Sequence, residues 1–151
     1  MSLSEKIRED MKDAMRAKDK IRLGTLRMLL ADVKKKQIDS GAGASADMED
    51  ADLIRMIRSA VKSREDSVTA YRGGDRDDLA VKEESEIAVL NAYLPKPLSE
   101  RELETMAKDV IAETGAASLR DMGRVMKEIQ AKAAGRVDGK AASEMVKRLL
   151  S

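Results

Sequence analysis

The sequence contains no cysteine and no histidine. Without cysteine there can be no disulfide framework and no thiolate metal site. Without histidine, the usual general base at neutral pH and the usual nitrogen ligand of zinc are both missing. Ser-His-Asp and Cys-His catalytic arrangements are therefore excluded. We predict no catalytic residue, no metal and no cofactor. A Ser-Lys pair, such as Ser63 with Lys62 or Ser143 with Lys140, is the catalytic alternative.

Aromatic residues and long apolar runs are also scarce. Tyr71 and Tyr93 are the only aromatic residues, too few to stack single-stranded bases. No apolar run approaches the roughly 20 residues of a membrane span. The N-terminus lacks the charged-then-apolar pattern of a signal peptide. We therefore expect a cytoplasmic protein with no membrane partner.

Two features that often mark catalytic or phosphate sites are present only in weak form. Gly73-Gly74 and the Gly41–Gly43 stretch lack the following Lys-Ser/Thr and the preceding strand of a phosphate-binding loop. The paired carboxylates Asp77-Asp78 and Glu83-Glu84 lie in polar stretches. Helix capping and solvation explain these pairs better than acid-base catalysis.

What remains is a composition that favours helices. Charged residues make up 38% and hydrophobic residues 42% of the chain, and apolar residues recur at spacings of three and four. Glycines and capping residues divide this pattern into seven helices. Capping residues mark six of the seven starts: Ser2 with Glu5, Asp19, residues 75–78, Ser99 with Glu102, Ser118 with Asp121, and Asp138. The glycine stops are Gly73-Gly74, Gly115 and Gly135. The predicted fold class is all-α.

Several details of this pattern can be tested. The first helix is expected to run to about Lys18, and the second to close at the run Lys34-Lys35-Lys36. We interpret that run as a solvated helix end. Residues 39–50 are predicted to be a flexible loop, and the apolar stripe of the third helix is interrupted at Arg64. The ten methionines are expected to fill the core rather than line a binding groove.

Both prolines lie in the segment Tyr93-Leu94-Pro95-Lys96-Pro97-Leu98. Each proline removes a backbone donor and disfavours helix in the residue before it. We therefore predict a four-helix bundle in residues 1–94 and a three-helix bundle in residues 99–151, joined by a rigid proline elbow at residues 95–98. An ordinary loop inside a single bundle is the alternative.

Positive charge is concentrated near the C-terminus. The net charge of +1 hides an excess in residues 115–151, which hold eight Lys and Arg against four Asp and Glu. Such a bias suits an anionic partner. Glycine inside the sixth helix, at Gly123, usually allows another backbone to approach. The candidate nucleic-acid-binding residues are Arg120, Arg124, Lys127, Arg136 and Lys140, the last two beside the N-terminus of the seventh helix. Cations that merely solvate a bundle are the alternative.

Several tracts resemble the YqeY family, also called GatB/YqeY. They are Tyr93-Leu94-Pro95, the tract from Asp121 to Met126 and the turn from Gly135 to Lys140. The opening, Asp10-Met11-Lys12 with Ala14-Met15 and Arg27-Met28, is similar too. The residues that we take as the structural motif are Tyr93, Leu94, Pro95, Pro97, Gly123, Gly135, Asp138 and Gly139. The resemblance implies two helical bundles, the larger one first.

The YqeY family is similar to the tail region of the B subunit of glutamyl/aspartyl-tRNA amidotransferase. In that complex the tail contacts tRNA while other domains transfer ammonia. The resemblance therefore implies a tRNA-binding or amidotransferase-like accessory module, with tRNA or another structured RNA bound by the C-terminal bundle. A tRNA-modifying or aminoacylation enzyme is a further expected partner. The label that the resemblance carries for the YqeY family is carbon-nitrogen ligase activity with glutamine as the nitrogen donor. This chain lacks the regions of the amidotransferase that transfer ammonia. The alternatives are a helical protein-interaction adaptor and a subunit acting in trans with an amidotransferase.

Overall fold

The structure is a computed structural model that describes residues 1–43 and 47–151. Within these ranges it contains seven α-helices, one short 3-10 turn and no β-strand, which confirms the all-α prediction. The helices are α1 (Leu3–Arg16), α2 (Lys20–Asp39), α3 (Asp50–Gly73), α4 (Asp77–Asn91), α5 (Glu100–Thr114), α6 (Met122–Ala133) and α7 (Gly139–Leu150). The 3-10 turn, Leu119–Asp121, directly precedes α6.

Most helices begin at the capping residues that the sequence predicts. Capping boxes form at Ser2 with Glu5 and at Ser99 with Glu102, where the side-chain oxygen of each residue accepts a hydrogen bond from the backbone N–H of the other. The carboxylates of Asp19 and Asp138 cap α2 and α7. These caps supply partners for backbone N–H groups that the helices leave unpaired.

Some helix ends differ from the sequence prediction. The first helix stops at Arg16, because Lys18 adopts a left-handed conformation with φ of 58°. The second continues through the three lysines to Asp39. Before α4, Arg76 stands at the N-cap position, where no side chain caps the helix. The predicted start within residues 75–78 is therefore confirmed in position, but no aspartate side chain caps the helix as expected.

The predicted loop at residues 39–50 agrees with the structure to within one residue at each end. α2 ends at Asp39 and α3 begins at Asp50, and residues 44–46 of the loop lie outside the described residues. Its described C-terminal part contacts α1, since Arg8 pairs with Asp47 at 3.0 Å. The backbone N–H of Leu3 donates to Asp50 at 3.1 Å. These contacts hold the start of α3 beside the start of α1.

The first compact unit, Met1–Leu94, contains α1 to α4. α3 and α4 pack against each other as a hairpin joined by a three-residue connection, and α2 packs against α4 and α1. The core consists of Ile7, Leu26, Leu29, Val33, Leu53, Ile57, Val61, Leu90 and Tyr93. Burial of side chains this large stabilises the fold by about 1.5–3 kcal/mol each.

Arg64 does not simply interrupt the apolar stripe of α3. Its side chain is only 14% exposed, and its Nε lies 3.3 Å from Glu86 and 4.0 Å from Glu83 on α4. It also donates to the backbone carbonyl of Ala60 at 3.1 Å. Arg64 therefore makes an ionic contact between α3 and α4 at the edge of the core.

The second compact unit, Pro95–Ser151, contains α5, α6 and α7. Each of its helices packs against the other two. Its core consists of Leu103, Ala107, Val110, Val125, Ile129, Ala133, Val137, Ala142, Met145 and Val146. α5 ends where Gly115 takes a left-handed conformation, as its position predicts.

The methionines divide between core and surface. Met145 is buried, and several others pack against the two cores, among them Met11, Met56, Met106 and Met126. Met1, Met15 and Met28 are exposed.

Among the helices in the described ranges, none has the length and apolar character that crossing a membrane requires.

Candidate nucleic-acid interface

The five predicted contact residues fall into two groups in the second unit. Arg120 lies in the 3-10 turn, and Arg124 and Lys127 lie on the first half of α6. Arg136 and Lys140 lie beyond the other end of that helix, in and after the turn to α7. A helix of twelve residues is about 18 Å long. The five residues therefore do not form one compact patch.

The first group is solvent-exposed and shares one side of α6. Arg124 and Lys127 are three residues apart, a spacing that places side chains next to each other on a helix. Arg120 lies four residues before Arg124, in the 3-10 turn. The opposite side of α6 supplies Val125 and Ile129 to the core. The cations therefore face solvent because the apolar spacing of α6 sets its orientation.

Asp121 fixes the start of this group. Its carboxylate accepts a hydrogen bond from the backbone N–H of Ala117 at 2.9 Å, and this bond holds the pKa of Asp121 below its usual value. Arg124 lies 3.4 Å from the same carboxylate and lowers that pKa further. In the described part of the chain, neither Arg120 nor Lys127 has a side-chain hydrogen bond or ion pair. Two of the three cations are thus uncommitted.

Arg136, in the second group, is engaged inside its own unit. Its Nε donates to the carbonyl of Lys96 at 2.9 Å, and its Nη2 lies 3.8 Å from Glu102. Its own carbonyl accepts a hydrogen bond from the backbone N–H of Leu98 at 2.8 Å. These contacts give Arg136 a structural role: it holds the segment after Pro95 against the turn between α6 and α7.

The N-terminus of α7 already carries a negative group. The carboxylate of Asp138 accepts a hydrogen bond from the backbone N–H of Lys140 at 3.2 Å. An external anion would therefore have to compete with this carboxylate for the N–H groups at the start of α7. Lys140 itself is exposed and remains available as a point charge.

Two further cations, Arg101 and Lys132, were not predicted. With Arg136 they border a groove of ≈ 510 Å³ between α5 and the end of α6. Lys132 pairs with Glu113 at 2.6 Å, which raises the pKa of the lysine, and the groove also holds Glu102 and Asp109. Only the packing of α5 on α6 brings these residues together, so no local sequence signal marks them.

Gly123 does not have the role that the sequence suggested. It lies in the first turn of α6, and a Cβ added there would meet no heavy atom within 4 Å. The prediction that this glycine allows a close backbone approach is wrong within the chain.

Across the described ranges, no group of three Asp, Glu, His or Cys side chains lies close enough to hold a metal ion.

The family model described as Yqey-like protein matches residues 4–150. The chain belongs to the YqeY family. The match includes both units and all the residues that carried the resemblance.

Curated relatives of this family member come from fungi. "Altered inheritance of mitochondria protein 41, mitochondrial" of Lachancea thermotolerans is 33% identical over 109 residues, which are 71% of this chain and 57% of that protein. The protein of the same name from Vanderwaltozyma polyspora is 30% identical over 77% of this chain and 64% of its own length. The one from Pyrenophora tritici-repentis is 29% identical over 96% of this chain and 79% of its own. The chain thus spans less than two thirds of the first two relatives.

The names of these relatives overturn one expectation. The sequence composition led us to expect a cytoplasmic protein, whereas the similar proteins are named as mitochondrial. That expectation is wrong. It rested on the absence of apolar segments, which says nothing about the compartment in which a YqeY-family protein works.

The motif residues of the YqeY family occupy structural positions here. Tyr93 is buried in the core of the first unit, and Leu94 packs beside it. Gly135, in the turn after α6, has a φ of 84°, a conformation that residues other than glycine rarely adopt. Pro95 and Pro97 precede α5 with trans peptide bonds, and Asp138 and Gly139 start α7. Most of the motif is therefore explained by folding.

Proposed function

We propose that this YqeY-family chain is an RNA-binding accessory module that contacts the phosphates of tRNA, or of another structured RNA, through its second unit. The observation that carries the proposal is the exposed cationic surface at the start of α6, formed by Arg120 in the 3-10 turn and by Arg124 and Lys127 on the helix. Lys140 adds a charge at the start of α7. Arg136 is left out of this surface, because Lys96 and Glu102 engage it inside the unit.

The mode of RNA recognition follows from what the second unit offers. It contains no aromatic residue, since Tyr71 and Tyr93 both lie in the first unit. Stacking of splayed bases is therefore unavailable to it. Exposed arginine and lysine side chains suit phosphate oxygens and the shape of a folded RNA instead. We expect affinity without strong sequence preference.

The proposed role needs no catalytic centre in this chain. The chain has neither histidine nor cysteine, and the carboxylates of α4 are paired with arginines. We expect the purified chain, given glutamine, ATP and misacylated tRNA, to release no ammonia above background. Release that is lost on changing one serine or lysine would instead favour an enzyme acting with an amidotransferase.

The salt dependence of tRNA binding tests the proposed surface. Each phosphate contact should contribute a slope of roughly −0.7 to −0.9 to a log-log plot of affinity against salt. The variant Arg124→Ala/Lys127→Ala should flatten that slope by about two contacts and leave the unfolding midpoint nearly unchanged. Fluorescence anisotropy of a labelled tRNA transcript, titrated with the full-length chain at several salt concentrations, would measure it.

A matched control removes the same charge from other helices of the second unit. Lys108→Ala/Lys147→Ala changes exposed lysines on α5 and α7 and should keep the original slope. If both double variants flatten the slope equally, only net charge matters and the assignment to α6 is wrong. If no tRNA binds at low salt, the RNA-binding proposal itself is wrong.

A further inference from the structure

α2 carries the largest net positive charge of the four helices in the first unit. It holds six Lys and Arg against two Asp, whereas α4 holds one Lys against five Asp and Glu. The net charges of these two helices, +4 and −4, cancel, which is why residues 1–94 look almost neutral as a whole. The first unit therefore has a basic helix that its total charge conceals.

The two helices differ in how their charges are satisfied. The acidic residues of α4 have arginine partners from α3 and the connection: Glu83 and Glu86 with Arg64, Glu84 and Asp77 with Arg72, and Asp78 with Arg76. On α2, Arg22 pairs with Asp10 at 3.6 Å. In the described residues, the other five cations of α2 have no ion pair or side-chain hydrogen bond: Lys20, Arg27, Lys34, Lys35 and Lys36.

Three of these cations form one row along the helix. Lys20, Arg27 and Lys34 are spaced by seven residues, or two helical turns, so they share one flank of the solvent side. The sequence interpretation treated Lys34 only as part of a helix end; its register with Arg27 and Lys20 shows a longer basic row.

Apolar residues lie beside the row. Ile21 and Met28 are also seven residues apart and are 50% and 52% exposed. The small residues Gly24 and Ala31 lie between the two rows, and a Cβ on Gly24 would meet no heavy atom within 4 Å. We call these seven residues, Lys20, Ile21, Gly24, Arg27, Met28, Ala31 and Lys34, the α2 face.

A groove continues the apolar side of the α2 face toward α3. It has a volume of ≈ 570 Å³; Met28, Met56 and Ala60 give it an apolar lining, and Lys36 and Arg55 add positive charge. A groove lined by flexible methionine side chains accommodates apolar side chains of varied shape. The basic row and the groove thus lie on opposite flanks of one narrow, largely apolar strip.

We propose that the α2 face docks an amphipathic helix of a partner protein, one whose apolar ridge is bordered by Asp and Glu. The ridge would lie over Gly24 and Ala31 with its side chains on Met28 and in the groove, and the acidic border would face Lys20, Arg27 and Lys34. Helix-in-groove recognition uses this combination of apolar anchors and complementary charge. The docking surface lies in the first unit and goes beyond the proposed contact with RNA.

Charge and shape favour this occupant over three others. A second copy docking its own α2 face would bring two basic rows together, and the acids of its α4 already have arginine partners. An RNA would satisfy the basic row but leave Ile21 and Met28 against a polar backbone. A lipid surface would not follow a groove that also contains Asp32, Ser59 and Ser63.

Designed peptides provide a direct test with the full-length chain. One probe is a 20-residue amphipathic helical peptide with Leu at heptad positions a and d and Glu at the flanking positions; the other has Lys at those flanks. Isothermal titration calorimetry should detect binding of the Glu peptide only. The variant Lys20→Glu/Arg27→Glu/Lys34→Glu should weaken that binding by about tenfold or more.

Two variants separate docking from net charge and from folding. Lys18→Glu/Lys62→Glu/Lys82→Glu makes the same change in net charge at exposed positions outside the α2 face and should leave the affinity within about twofold. Gly24→Leu places a better helix former where there is open space, so the fold should keep its stability while peptide affinity falls by about tenfold.

The outcomes distinguish the occupants. Equal binding of both peptides, or no effect of Gly24→Leu, would overturn the proposed docking. The proposal would also be overturned if the chain self-associates in sedimentation velocity, or binds anionic vesicles, and the Lys20→Glu/Arg27→Glu/Lys34→Glu variant loses that behaviour. Loss of tRNA binding in that variant, with Glu-peptide binding absent, would assign the α2 face to RNA. The RNA-binding proposal for α6 is tested by other variants, so either proposal can fail alone.

Discussion

At the scale of single residues, Tyr93 ties three helices of the first unit together. It lies just after α4, and its hydroxyl donates to Asp10 on α1 at 2.6 Å. Asp10 in turn lies 3.6 Å from Arg22 on α2. Burial of the ring, together with the hydrogen bond to a carboxylate, raises the pKa of Tyr93 to about 12. The tyrosine of the YqeY motif therefore joins the end of the first unit to α1 through a hydrogen bond.

Replacing Tyr93 by Phe should destabilise the first unit by about 1.5 kcal/mol, because a hydrogen bond to a charged acceptor is lost while the ring stays buried. Between pH 10 and pH 12, the folded state keeps the proton of Tyr93 while the unfolded state loses it, because the pKa is raised only in the folded state. Its contribution is therefore complete below pH 10 and declines as the pH rises toward 12. Urea unfolding at several pH values would show this decline in the wild type and not in Tyr93→Phe.

Tyr71→Phe is the matched control for that substitution. The Tyr71 hydroxyl has no hydrogen-bond partner in the described residues, so the change should alter stability by less than about 0.5 kcal/mol. A similar loss in both variants would mean that the ring environment, and not the bond to Asp10, sets the effect.

At the scale of helices, Arg64 and Arg72 offer two ion pairs between the same elements. Both reach from α3 to carboxylates of α4, but the Arg64 side chain is 14% exposed and that of Arg72 is 45% exposed. Breaking a buried pair strands a charge, whereas an exposed pair contributes little. Arg64→Met should therefore cost about 3 kcal/mol, and Arg72→Met less than about 1 kcal/mol.

Tyrosine fluorescence during urea unfolding can measure this difference in the first unit alone, since both tyrosines lie there. Adding Glu86→Gln to Arg64→Met removes the stranded carboxylate and should recover much of the loss. If the double variant is as unstable as the single one, the loss comes from packing of the arginine stem.

Helix positions were predictable because their signals are local. The capping boxes at Ser2 and Ser99 and the glycine stop at Gly115 act within a few residues of the chain, so their spacing could be read directly. Arg64 was misjudged because its partners lie 19 and 22 residues away on another helix. The groove cations Arg101 and Lys132 were missed for the same reason.

At the scale of the whole molecule, net charge was the least informative quantity. It drew attention to the 3-10 turn and α6, where the exposed cations Arg120 and Lys127 lie. It also concealed the basic row of α2, because the acidic residues of α4 balance that helix in the sum. Charge becomes informative once the structure shows which groups are already paired, as with Arg136, whose bond to Lys96 could not be anticipated from spacing.

The contacts of Arg136 lead to a prediction about where the second unit begins. The sequence placed the start of the bundle at Ser99, but the carbonyl of Lys96 and the N–H of Leu98 both bond to Arg136, and Leu98 packs against the core. A fragment of residues 95–151 should therefore fold alone, and a fragment of residues 99–151 should be less stable by about 2–3 kcal/mol.

For a domain of fewer than about 60 residues, a loss of that size leaves little stability. Thermal unfolding followed by far-UV circular dichroism would compare the two fragments. Lys96→Ala in the longer fragment is the control, because it keeps the backbone carbonyl that Arg136 binds and should not lower the midpoint. Equal midpoints for the two fragments would show that the segment before Ser99 adds nothing, and that Arg136 is then available to an external phosphate.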